Sequence, residues 1–106
     1  MFGFLKKESL VSVDVNELEN LIGQIELIDV REPHEFKAGS IQTAKNIPMG
    51  SLLARPESYM DKRKTYYIMC LSGGRSKNVS KTLLKQGFSV VNVSGGMMKY
   101  SGKKRK

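Results

Sequence analysis

The chain has 106 residues, 40% hydrophobic and 26% charged, which suits one globular domain with a modest core. No apolar run approaches the roughly 18 residues needed to span a membrane. One cysteine excludes an internal disulfide, and one cysteine with one histidine cannot build a structural zinc site. The net charge of +8 raises the question of anionic partners.

The N-terminus, Met1-Phe2-Gly3-Phe4-Leu5-Lys6-Lys7, is apolar and then basic. A signal peptide has the opposite order and a longer apolar stretch, so a cytoplasmic protein is expected. Asp14 and Glu17 have the spacing of a capping box and open a helical pattern. Val15, Leu18, Leu21 and Ile22 continue it, and Gly23 stops it. Ile25 to Val30 reads as a buried strand that ends in the charged loop Arg31-Glu32-Pro33. His34 to Ala38 suits a short helix ended by Gly39, with His34 as a surface residue.

Ala44 to Pro48 reads as a short strand, and Ser51 to Ala54 as a helical turn before Pro56. Thr65 to Met69 is a strand with Cys70 at its end. Ser76 to Gln86 is a helix with Val79, Leu83 and Leu84 on its apolar face and Gly87 just beyond it. Ser89 to Val93 is a last strand, followed by Ser94-Gly95-Gly96. Strands and helices thus alternate along most of the chain. The expected fold is α/β: a small single domain with a mainly parallel central sheet and helices on both faces. Residues 1–11 read as an extension, 12–102 as the domain and 103–106 as a basic tail.

The basic clusters Lys6-Lys7, Lys62-Arg63-Lys64 and Lys103-Lys104-Arg105-Lys106 read as solvated surface and a frayed end. Their other use is to attract an anion: a small sulfur oxyanion, an acidic protein or RNA. No aromatic-interleaved basic stripe accompanies them, so nucleic acid is not expected as a partner. Nothing in the sequence calls for a cofactor, a membrane or a second subunit, and a monomer is expected.

In parallel sheets, ligands bind outside the C-terminal ends of the strands. Cys70 lies at such an end, as do Asp29 and Arg31, which read as supporting residues that pair with each other. The loop Cys70-Leu71-Ser72-Gly73-Gly74-Arg75-Ser76 can aim several backbone N–H groups at one sulfur. Gly73 and Gly74 allow backbone angles that other residues reach only at a cost. Loop amides and the positive end of the following helix both favour a thiolate. Arg75 could bind an oxyanion through two parallel hydrogen bonds. Ser76 could donate its hydroxyl or cap the helix. Cys70 is therefore the candidate nucleophile, and Leu71, Ser72, Gly73, Gly74, Arg75 and Ser76 form its candidate substrate-binding loop. With no second cysteine and His34 at the surface, an internal disulfide relay and a Cys–His hydrolase are disfavoured. What remains is attack on an electrophilic sulfur, phosphorus or arsenic atom.

The Cys70 to Ser76 loop resembles the active-site loop of the rhodanese family of thiosulfate sulfurtransferases. Asp29-Val30-Arg31-Glu32-Pro33-His34-Glu35-Phe36 is similar to that family's DVREPxEF segment. Gly39-Ser40-Ile41 with Ala44-Lys45-Asn46-Ile47-Pro48, and Gly87-Phe88 with Val91 and Ser94-Gly95-Gly96-Met97, are similar to two further segments. The resemblance covers roughly residues 12 to 102 and implies sulfur transfer through a Cys70 persulfide. A small sulfur-containing anion such as thiosulfate, or a persulfide, would be the donor. Cyanide, a thiol or a protein would be the acceptor. The alternative on the same fold is a module that binds or relays sulfur without catalysis. Related phosphatases and arsenate reductases resemble Cys-x5-Arg, whereas this chain has Cys-x4-Arg, and Met69 stands where those phosphatases often carry histidine. Two positions depart from the rhodanese pattern. Ser40 stands where histidine is usual, and Leu71 stands where many active members carry a polar residue. The second removes a possible contact with thiosulfate.

Overall fold

A computed structural model describes residues 9–106. The apolar and basic segment at residues 1–7 lies outside the described residues, as does most of the expected extension. The sheet has five strands: β1 (Val11–Asp14), β2 (Glu26–Asp29), β3 (Lys45–Asn46), β4 (Thr65–Met69) and β5 (Ser89–Ser94). Their order is β1-β5-β4-β2-β3, and every pairing is parallel. The helices are α1 (Pro33–Ala38), α2 (Met49–Ala54), α3 (Gly74–Lys85) and α4 (Gly96–Lys99), with 3-10 turns at Val15–Leu18 and Pro56–Ser58.

Side-chain alternation along each strand separates two cores. On one face Ile28, Val30, Tyr66, Ile68, Cys70 and Val90 pack with Leu52 of α2, Val79 and Leu83 of α3, Met60 and Phe88. On the other face Leu27, Met69 and Val93 meet Val15, Leu18, Ile22, Ile41, Met97 and Tyr100. Both faces are therefore covered, as the unbroken apolar strands require. Burying each large aliphatic side chain contributes about 1.5–3 kcal/mol before entropy is counted.

The topology places the site. β2 and β4 are neighbours, yet β2 leads to β3 on one side and β4 leads to β5 on the other. The chain reverses direction of travel at this pair, and in open α/β sheets a crevice forms outside the strand ends there. The ends in question are Asp29 and Met69, which lie in register.

Several boundaries differ from expectation. The helical pattern after Asp14 is a single 3-10 turn followed by further turns, not a regular α-helix. Its amides close short bonds, such as Leu21 N–H to the Leu18 carbonyl at 2.7 Å. The expected capping box is present: Asp14 accepts from the Asn16 amide and Glu17 from the Asp14 amide. Val15, Leu18 and Ile22 are buried as the spacing requires, but Leu21 is exposed. Strand β1 was not anticipated and begins one residue before the expected domain start. Helix α4 was not anticipated either. Helix α3 begins at Gly74, two residues before the expected start, because the loop turns directly into it. Gly87 has φ +95° just past α3, the role expected of it.

The basic tail is not frayed. The Lys106 amide donates to the Ser40 carbonyl and the Gln42 amide to the Lys104 carbonyl, each at 2.8 Å, forming an antiparallel bridge between Ile41 and Arg105. The Lys103 and Lys104 amides donate to Glu19 and to the Tyr100 hydroxyl. Backbone hydrogen bonds, which charge patterning does not reveal, tie it down.

Candidate active site

Cys70 follows the last residue of β4, and its side chain continues the alternation of Tyr66 and Ile68 into the α3 face of the sheet. The residue is 1% exposed. Around its sulfur, the Gly73 amide donates at 3.1 Å and the Ser76 amide at 3.3 Å. The thiol lies 3.4 Å from Ser76 Oγ, to which it donates. Gly73 is the N-cap of α3, in the left-handed region at φ +108°. Ser76 is therefore the third residue of the helix rather than its cap, and the expected capping role does not hold. The cysteine sulfur takes that role, because it accepts the third-residue amide that a capping side chain would otherwise bind.

Burial pushes the Cys70 thiol up. The Ser76 hydroxyl and the amides of Ser76, Gly73 and Ser72 outweigh it and hold the thiol below the ordinary thiol range. The Ser76 hydroxyl is itself held by the Asn92 Oδ1 at 2.7 Å, and Asn92 Nδ2 donates to Ser12 Oγ at 3.3 Å. A polar chain thus runs from the sulfur through α3 to β5 and β1.

The loop is oriented from outside by α4. The Met97 amide donates to the Cys70 carbonyl at 3.0 Å, and the Met98 amide to the Leu71 carbonyl at 2.8 Å. With the Leu71 carbonyl turned toward α4, the Ser72 amide of the same peptide unit is directed to the sulfur. Gly96 makes this approach possible. Its φ is +57°, and a Cβ there would collide with the carbonyl oxygens of both Cys70 and Leu71.

Arg75 does not offer a free fork to an oxyanion. Its Nη1 and Nη2 donate to the two carboxylate oxygens of Glu35 in α1, each at 2.9 Å. The Arg75 hydrogen bonds, with the Glu32 amide, draw the Glu35 carboxyl down to about 2. Asp29 and Arg31 are paired and buried, with Arg31 Nη2 2.8 Å from Asp29 Oδ2. Arg31 also donates to the Gly39 carbonyl at the end of α1. Asn46 donates to the carbonyls of Asp29 and Arg31. These contacts set the position of α1, and so of Glu35. Leu71 and Ser72 are exposed at the mouth, Gly74 opens the helix, and His34 is exposed. Among the described residues, no group of three or more His, Cys, Asp or Glu side chains is gathered as a metal would need.

Three residues of this site escaped sequence reasoning: Glu35, Asn92 and Gly96. Glu35 had a signal, since its spacing from Glu32 makes a capping box around Pro33. Asn92 is a buried polar residue inside the run Val-Val-Asn-Val, against strand preference.

The fold and this loop define a parallel α/β domain that cradles one buried cysteine at a strand end, its sulfur facing backbone amides. The sequence profile of the Rhodanese-like domain matches residues 14–103, and the chain belongs to that family. A Bacillus subtilis protein named "Putative sulfurtransferase YtwF" is 48% identical over 79 residues, covering 74% of this chain and 76% of the relative. The Bacillus subtilis "Putative sulfur carrier protein YrkF" is 36% identical over 80 residues, 74% of this chain but 43% of the relative. The crystal structure of a rhodanese-like domain protein from Staphylococcus aureus superposes with a TM-score of 0.81 at 32% identity, covering 92% of this chain and 97% of that one. Among the described residues, no helix is long and apolar enough to cross a membrane.

Proposed function

We propose that the protein is a sulfurtransferase that carries sulfane sulfur as a persulfide on Cys70. The observation that carries this reading is the buried Cys70 sulfur receiving the Gly73 and Ser76 amides at the start of α3. Those donors favour the thiolate, which is the nucleophilic form. In the first half-reaction the Cys70 thiolate attacks the outer sulfur of the donor. With thiosulfate, an S–S bond forms to Cys70 while the donor's S–S bond breaks. Sulfite leaves with the electron pair, and the charge of −3 is conserved. In the second half-reaction an acceptor thiolate attacks the outer sulfur of the Cys70 persulfide. It becomes a persulfide itself and returns Cys70 as thiolate, stabilised by the same amides. The hydrogen-bonding groups thus serve both the attacking and the leaving sulfur.

Ser72, Gly73 and Ser76 supply the amides, Gly73 at φ +108° turns the loop into α3, Gly74 is the first residue of that helix, and Leu71 borders the entrance. Arg75 acts as a positioning residue that straps α3 to α1 through Glu35, supported by Asp29 and Arg31. The names of two relatives, one a sulfurtransferase and one a sulfur carrier, agree with this chemistry and with a thiol or protein acceptor. A reducing, cytoplasmic setting suits a chain whose single cysteine must stay free.

The test is intact-protein mass spectrometry after incubation with thiosulfate or a small-molecule persulfide, then with cyanide. The expected result is a gain of one sulfur, about 32 Da, that cyanide removes and that Cys70→Ser lacks while staying folded. Loading from no donor, or a Cys70→Ser protein with normal transfer, would defeat the proposal.

A further inference from the structure

We infer, building on the sulfurtransferase reading, that Glu35 sets the charge class of the sulfur donor, favouring persulfides of carbon-borne thiols over the thiosulfate dianion. Arg75 is the only cation in the Cys70–Ser76 loop. Both of its outer nitrogens are occupied by Glu35, in the geometry that an incoming oxyanion would need. Glu35 is itself fixed. Its Oε1 accepts the Glu32 amide at 2.9 Å, and α1 is tied down at its far end by Arg31. The buried Asp29–Arg31 pair stands close enough that Arg31 acts on Glu35 and Asp29 on Arg75. The four charges sum to zero. Within this group of four, Arg75 therefore brings no net positive charge to the loop that holds the nucleophile.

Two exposed apolar side chains border the loop beside Ser72, where a dianion would need solvation. Leu71 and Met98 are both exposed and are joined by a hydrogen bond from the Met98 amide N–H to the Leu71 carbonyl. The two donor chemistries differ in what they ask of such a site. Thiosulfate brings a charge of −2 to a thiolate, and sulfite must leave as a dianion. A persulfide reacts in its protonated form R–S–SH, which carries no charge at its sulfane sulfur. The Cys70 thiolate attacks the outer sulfur, the R–S bond to it breaks, and R–S⁻ leaves with the pair. The products are Cys70–S–SH and R–S⁻, with one negative charge before and after. The loop amides suffice for that exchange, and the R group can lie against Leu71 and Met98.

The experiment compares sulfur loading of the full chain from thiosulfate and from cysteine persulfide, in the wild type and in Glu35→Gln. Wild type is expected to have the higher kcat/KM with cysteine persulfide. Removing one carboxylate and freeing the Arg75 fork should raise the thiosulfate-to-persulfide ratio of kcat/KM on the order of tenfold, mainly through the thiosulfate KM. An unchanged or lowered ratio, including equal losses with both donors, would overturn the assignment and leave Glu35 as a strap. A second measurement needs no variant. Excess sulfate should leave wild-type loading from cysteine persulfide unaffected, and competitive inhibition by sulfate would overturn the assignment. Loading from neither donor would instead remove the sulfurtransferase reading and this inference with it.

Discussion

Replacing Gly96 by alanine should cost far more than a methyl group ordinarily does. At φ +57° an L-residue pays about 1–2 kcal/mol in backbone strain. The new Cβ would also strike the carbonyl oxygens of Cys70 and Leu71, which are backbone atoms and cannot swing aside. Forcing them apart adds about 1–3 kcal/mol, typical of overpacking. The sum, about 2–5 kcal/mol, corresponds to a fall in Tm on the order of 10–25 °C for a domain of this size. Two neighbouring tests calibrate it. Gly95 has φ +82°, but a Cβ there meets mainly the flexible Lys99 side chain, so Gly95→Ala should lose only about 1–2 kcal/mol. Gly50 has no atom within 4 Å of its would-be Cβ and lies in α2, so Gly50→Ala should be neutral or stabilising by up to about 1 kcal/mol. Thermal unfolding followed by circular dichroism reads all three. Because the displaced carbonyls belong to the loop, Gly96→Ala should also shift the pH midpoint of Cys70 alkylation by iodoacetamide upward. A Gly96→Ala protein within about 1 kcal/mol of wild type, with an unchanged alkylation profile, would refute the account of how α4 orients the loop.

Ser76→Ala should raise the pH midpoint of Cys70 alkylation, since burial then opposes ionisation with one hydrogen-bonding group fewer. It should also lower stability by about 1–3 kcal/mol, because Asn92 Oδ1 loses the Ser76 hydroxyl and stays buried, a loss that urea titration would detect. In acid, Glu35 titrates at about 2 in the folded protein against an ordinary 4.5. A depressed carboxyl stabilises the fold above the unfolded value, and that contribution fades as pH falls from 4.5 through 2. Urea midpoints measured across this window should therefore fall less steeply for Glu35→Gln than for wild type. Asp61, also held at about 2, should matter little because its Arg63 partner is solvent-exposed and screened.

The parts of this molecule that are legible in sequence are those whose physics is local. The β4–Cys70–glycine–helix succession can be read directly, because a strand end, a turn and a helix start are adjacent in the chain. Alternation of strands and helices carries the parallel sheet. The parts that are not legible depend on distant partners. Arg75 looks like a free fork until Glu35, forty residues earlier, arrives against it. Gly96 reads as turn punctuation until the Cys70 and Leu71 carbonyls are seen pressed on it. Lys103 to Lys106 look like a solvated run because their charges point one way, while their backbone amides bond another. β1 is only four residues long and largely exposed, so it lacks the apolar run that marks the inner strands.

The margins of the sheet have a consequence for behaviour at high concentration. The most aggregation-prone stretches, Tyr66 to Met69 and Val90 to Val93, lie in its interior and pair with one another. At one margin β3 is two residues long and carries an exposed lysine, Lys45, which offers little template to another chain. At the other, among the described residues, β1 alone flanks β5, and it does so with four residue pairs. Detachment of β1 would bare a six-residue strand rich in valine. Self-association of this protein should therefore start from a native-like form that has shed its first strand, well before the domain as a whole unfolds.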